Sequence, residues 1–81
     1  MWEIVFEVLI PKIFEDHTEF TTFRGSFNAP AGRIPSRAQI EETAREMAAQ
    51  FFAQLHETMN QRPYDYGEPG GVGIESVTFV P

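Results

Sequence analysis

Residues 2–10 alternate with a period of two: Trp2, Ile4, Phe6, Val8 and Ile10 share one face, and Glu3, Val5, Glu7 and Leu9 share the other. The pattern predicts a strand with one buried face and one mixed face. Pro11 removes a backbone donor, which is expected to close the strand, and Glu15, Asp16 and His17 supply a turn. Residues 18–29 form a second β-rich run in which Phe23 and Phe27 are in phase and Phe20 is not. A bulge near Thr21 or Gly25 would bring all three rings to the core side, because one extra residue resets the alternation.

Residues 28–35, with two Pro and one Gly, read as a connecting loop. Ser36 follows as an N-cap, with Gln39 three residues on in the capping-box position. From residue 37 to about 59 the period becomes helical. Ile40, Ala44, Met47, Ala48, Phe51, Leu55 and Met59 step by three or four along one stripe, opposite Glu42, Arg45, Glu46, Gln50, Gln54 and Glu57. Glu41 and Arg45 are spaced for an i,i+4 ion pair. Residues 60–71 hold two Pro and three Gly and are expected to be irregular, and residues 72–80 return to a β pattern through Ile74, Val77, Phe79 and Val80.

The order is ββαβ, a single α+β domain over residues 1–81. Its expected architecture is a three-stranded antiparallel sheet of order 2-1-3, with one long amphipathic helix crossing one face. The expected core joins Phe6, Phe51 and Leu55 with Ile4, Ala44, Met47, Phe27 and Phe79. The other face has no second layer and presents Glu3, Val5, Glu7 and Leu9. A helix of about 23 residues runs about 34 Å, whereas a strand of eight or nine residues runs about 28 Å. The helix is therefore expected to overhang the sheet, leaving Leu55, Met59 and Phe52 in need of cover.

Composition narrows the class. With 42% hydrophobic and 14% aromatic residues, the 81-residue chain carries too much apolar material for a disordered tail. It has no cysteine, which excludes disulfides, thiolate metal sites and a Cys nucleophile. No apolar run is long enough to span a bilayer, and the N-terminus shows neither a basic flank nor a small-residue cleavage site, so a cytoplasmic setting is expected. Twelve acids against six bases give a net charge of −6. That balance opposes binding to nucleic acid or anionic membrane and favours a basic protein partner. Five of the six cations are Arg, a residue favoured at interfaces, although a codon preference gives the same count.

Candidate chemistry is sparse. Glu15, Asp16, His17 and Glu19 gather two kinds of metal-ligating group, yet neighbours along a hairpin diverge, and the cluster reads as a solvated acidic turn with no metal. His56 suits the helix C-terminus. Ser26, Ser36 and Ser76 have no neighbouring His and no nucleophile elbow, and the glycines of residues 70–73 enter a strand without the Lys-Ser/Thr of a phosphate loop. No enzyme and no cofactor is expected.

Residues 62–69 differ in composition. Tyr64 and Tyr66, with Arg62, Asp65 and Glu68 and bracketed by Pro63 and Pro69, combine the residue types of interface hot spots. The same tyrosines could instead lid the helix overhang. Tyr64, Asp65, Tyr66, Glu68, Glu3 and Glu7 form the candidate binding set. The hairpin, the helix of residues 36–55 and the closing strand of residues 74–80 resemble the layout of small phage-encoded proteins, among them some anti-CRISPR proteins and an inhibitor of host RNA polymerase. The resemblance rests on layout, size and acidity, and it transfers no residue role. It implies a non-catalytic inhibitor that binds a basic or nucleic-acid-binding host protein. The alternative is a homo-oligomeric structural or accessory protein, a homodimer for instance, that buries the open sheet face or the helix overhang.

Overall fold

The computed structural model describes residues 1–58 and 64–81, the side chains of 54–58 excepted. The expectations for Leu55, His56, Met59, Arg62 and Pro63 lie outside the described residues. Alternation continues past Pro11, and the first strand, β1, is Trp2–Phe14. Its antiparallel partner β2 is Thr18–Ala29, joined through the expected acidic turn. The helix α1 is Arg37–Thr58, followed by β3 (Tyr64–Tyr66) and β4 (Val72–Phe79).

β1 is the centre of an antiparallel sheet. β2 lies on one side of it, and on the other side the third position is filled end to end, by β3 against Lys12–Phe14 and by β4 against Trp2–Val8. The ββαβ layout and the 2-1-3 order hold, with the third strand split in two. Tyr64, Asp65 and Tyr66, expected in an irregular stretch, belong to that strand. The break is a detour at Gly67–Gly71, where Gly67 N–H donates to Pro11 C=O at 2.9 Å, Gly70 N–H donates to Leu9 C=O at 2.8 Å and Leu9 N–H donates to Gly71 C=O at 3.0 Å. Pro11 therefore does not end β1. Its missing donor faces this detour, where only its carbonyl is engaged, so no ladder bond is lost.

The expected bulge in β2 is absent. Pairing with β1 runs without a shift from Trp2–Ala29 to Ile13–Thr18, so Phe20 stays on the face away from the helix and is 61% exposed. The irregularity lies in β4 instead. Val5 pairs with Ser76 and Phe6 with Ile74, which leaves Glu75 as the extra residue. The bulge lets Val72 and Ile74 share the core side with Val77, which strict alternation would forbid.

The core has two parts along β1. Ile4, Ala29 and Ile40 form one, with Trp2, Phe27, Ile74 and Val77 around them. Phe6, Val8, Ile10, Ala44 and Ala48 form the other, with Phe23, Met47, Phe52, Tyr66 and Val72 against them. Two core members of the expected set move out: Phe51 is 47% exposed and Phe79 50% exposed. The helix meets the sheet along Ile40, Ala44, Ala48 and Phe52. A step of four residues rotates about 40° beyond a full turn, so this line winds around the helix, as contact with a twisted sheet requires. Phe52 lands over the core and Phe51 beside it, with its ring 5.2 Å from Phe23.

The helix start is as expected. Gln39 N–H donates to Ser36 Oγ at 3.2 Å, and Ser36 N–H donates to Gln39 Oε1 at 2.9 Å. Glu41 pairs with Arg37 at 3.3 Å in place of Arg45, which reaches the Gly70 carbonyl at 3.2 Å and ties the helix to the detour. The length comparison reverses. At about 3.3 Å per residue a 13-residue strand runs about 43 Å, against about 33 Å for a 22-residue helix, so the sheet is the longer element.

Candidate binding surface

The uncovered face of the sheet follows from the register. Glu3, Val5, Glu7, Leu9, Pro11 and Ile13 alternate to it along β1, and their β2 partners Asn28, Ser26, Arg24, Thr22, Phe20 and Thr18 flank them. From the other side come Thr78 and Ser76, the bulged Glu75, and Asp65 opposite Ile13.

This face has two unlike halves. Near the chain termini it is charged and hydroxylated. Arg24 extends from β2 across β1 to Glu75 on β4, with Nε 2.7 Å from Oε2, so one ion pair spans three strands beside Glu7. Arg24 is mostly exposed, and such a pair adds at most about 1 kcal/mol to stability. Toward the hairpin turn the face is apolar. Phe20 stands opposite Pro11, with Leu9 and Ile13 two residues to either side, and Phe20, Leu9 and Ile13 are all exposed. Diagonal cross-strand neighbours lie about 7–8 Å apart, close enough for these side chains to form one patch.

The structure divides the expected binding set. Glu3, Glu7 and Asp65 are on the open face, whereas Tyr64 and Tyr66 pair with Phe14 and Lys12 on the helix side. There Tyr66 lies 4.3 Å from the Phe52 ring and Tyr64 lies 5.1 Å from the Phe14 ring, with Lys12 Nζ 4.6 Å above it. The two hydroxyls are 3.4 Å apart. Glu68 sits exposed in the detour. Tyr64 and Tyr66 thus extend the aromatic layer beneath the helix, and the acids belong to another surface. Sequence reasoning placed Leu9 on this face and missed the rest of the apolar patch, Pro11, Ile13 and Phe20. Its signal was the alternation running on unbroken through Pro11.

In the turn, His17 stacks on Phe14 at 4.4 Å and its Nδ1 lies 2.6 Å from Asp16 Oδ1, with Nε2 3.5 Å from Glu19. No group of three or more His, Cys, Asp or Glu residues could hold a metal ion among the described residues. An open groove of about 580 Å³ lies between the end of β2 and the start of α1, lined by Pro30, Arg33, Ile34, Pro35 and Gln39 among others. Its one ionisable lining group is Arg33, with no acid beside it in that lining, and its one hydroxyl, Ser36 Oγ, accepts the Gln39 N–H of the helix cap. Among the described residues no helix is long and apolar enough to cross a membrane. The fold and this surface define a small α+β domain with a one-layer sheet. Comparison with family models, with curated proteins and with solved structures finds no match to this chain.

Proposed function

We propose that this chain is a non-catalytic binding protein that docks onto a protein partner through the uncovered sheet face. The observation that carries this reading is the exposed Phe20, Leu9 and Ile13 patch on the same flat surface as Glu3, Glu7 and Glu75. Contiguous apolar groups beside charge are typical of interaction sites, the apolar part giving area and the charge giving orientation. The excess of acids fits a partner with a basic rim, such as a protein whose groove holds nucleic acid. Occupying that groove would make the chain an inhibitor of the phage type.

The test is capture from a bacterial lysate with three forms of the protein: wild type, Phe20→Asp, and Glu3→Gln combined with Glu7→Gln. The expected result is a nucleic-acid-binding protein that wild type retains, that Phe20→Asp loses, and that the Gln variant holds with weaker salt dependence. Retention that ignores all three residues would overturn the reading.

A further inference from the structure

β2 is the outer strand of the sheet, and among the described residues no strand pairs its far side. The hairpin turn tells which of its backbone groups point outward. Phe14 N–H donates to His17 C=O at 2.9 Å, so this pair exchanges ladder bonds. Stepping by two, the bonded partners are Lys12 with Glu19, Ile10 with Thr21, Val8 with Phe23, Phe6 with Gly25 and Ile4 with Phe27. The residues between them, Thr18, Phe20, Thr22, Arg24, Ser26 and Asn28, aim N–H and C=O away from the sheet. Folded proteins usually blunt such an edge with Pro, a charged side chain (Lys above all), a bulge or a covering element. The one charge on an outward-facing residue here, Arg24, is drawn back across β1 to Glu75. β2 has no Pro, no Lys and no register shift, and α1 lies over β1, β3 and β4. Phe51, half exposed, stands beside Phe23 above this edge.

We propose that β2 pairs antiparallel with β2 of a second copy of this chain, about a two-fold axis at Phe23. That register matches all six outward-facing residues with one another: Thr18 with Asn28, Phe20 with Ser26, and Thr22 with Arg24, each twice. It forms about twelve backbone hydrogen bonds, two for each bonded pair. An ordinary interface makes roughly ten direct ones. No other centre uses the full strand. On the helix side the two Phe23 side chains meet directly, in a non-bonded pair where side chains are closest. Each is flanked by its own Phe51, whose exposure is then accounted for. Charge permits the contact, because β2 carries one Glu and one Arg within a chain of net −6, and each Arg24 keeps its own Glu75. The axis is perpendicular to the sheet, so both helices fall on one side and both open faces on the other. The interface is made by the edge of β2 and leaves the open face uncovered, with Phe20 bordering both. Because its test varies Thr22 and Arg24 and not Phe20, either proposal can fail alone.

Light scattering on the full chain at concentrations up to the order of 100 µM should show a dimer of twice 9.2 kDa. Thr22→Pro removes an outward donor on each side of the axis and should weaken dimerisation about tenfold or more while leaving the circular dichroism spectrum of the monomer unchanged. The chain has no cysteine, so Thr22→Cys and Arg24→Cys, mixed and oxidised, should form the mixed disulfide in clear excess over either symmetric one. A monomer throughout that range, or a dimer that Thr22→Pro does not weaken, would overturn the proposal. Should Thr22→Pro fail to fold, the disulfide pattern decides, and preference for a symmetric bridge overturns this register.

Discussion

Two phenylalanines at comparable places in the pattern have unequal roles. Phe6 is fully buried between the rings of Phe23 and Phe27, at 6.0 and 6.1 Å, and sits opposite Gly25, whose missing side chain leaves room for it. Phe6→Ala should cost roughly 3–5 kcal/mol, a large share of what so small a domain has. Phe51→Ala, at a half-exposed site, should cost clearly less, and denaturant titration of the two variants under monomeric conditions checks the order. Trp2 poses the opposite problem. Its ring packs edge-on against Phe79 at 5.1 Å, but Nε1 is buried and has no hydrogen-bond partner. Leaving a buried donor unpaired costs about 1–3 kcal/mol, so Trp2→Phe should be neutral or stabilising in the same titration despite the smaller ring.

Among the elements, the split third strand depends on one contact. A Cβ at Gly67 would lie 2.7 Å from Pro11 Cγ and 3.1 Å from Ile13 Cδ1, so the detour passes the rigid Pro11 ring at a distance only glycine allows. Gly67→Ala should therefore destabilise the protein by roughly 1–3 kcal/mol. Gly73, in β4, has nothing within 4 Å of the corresponding position. Gly73→Ala should be neutral or gain up to about 1 kcal/mol by restricting the unfolded chain. Melting curves of the pair separate crowding at Gly67 from a general effect of replacing glycine. The winding contact line of α1 belongs to this scale as well. Alanines at positions 44 and 48 let the helix lie close on β1, and the sheet's twist then decides which of two adjacent phenylalanines goes inward.

The whole molecule is long and thin, with extents of 47 × 22 × 15 Å and a Cα radius of gyration of 14.6 Å. A compact domain of this length has a radius of about 12 Å. The excess comes from a hairpin longer than the helix, which covers only one of its two faces. Small-angle scattering of the monomeric Thr22→Pro variant should return a radius no smaller than 14.6 Å. A radius as small as that of a compact domain would mean that the hairpin end folds back.

Much of this was legible along the chain because it depends on local period. The alternation of Trp2 to Ile10 sorted the two faces of β1, Ser36 and Gln39 marked the helix start, and three strands with one helix left little choice of order. Glu3 and Glu7 could be placed on the open face for the same reason. What period alone could not decide were events set by a neighbouring strand. Pro11 is tolerated in β1 only because a detour far along the chain, beginning at Gly67, stands opposite it. Phe20 stays outside because β2 keeps register, and the resetting bulge falls at Glu75, where Ile74 and Val77 must both reach the core. Tyr64 and Tyr66 could be read as turning to the same side, but not which side, since that follows from pairing with Lys12 and Phe14. Side-chain period is a property of one strand, whereas register, bulges and helix tilt are settled by the contact of two elements, and only the tertiary structure brings those together.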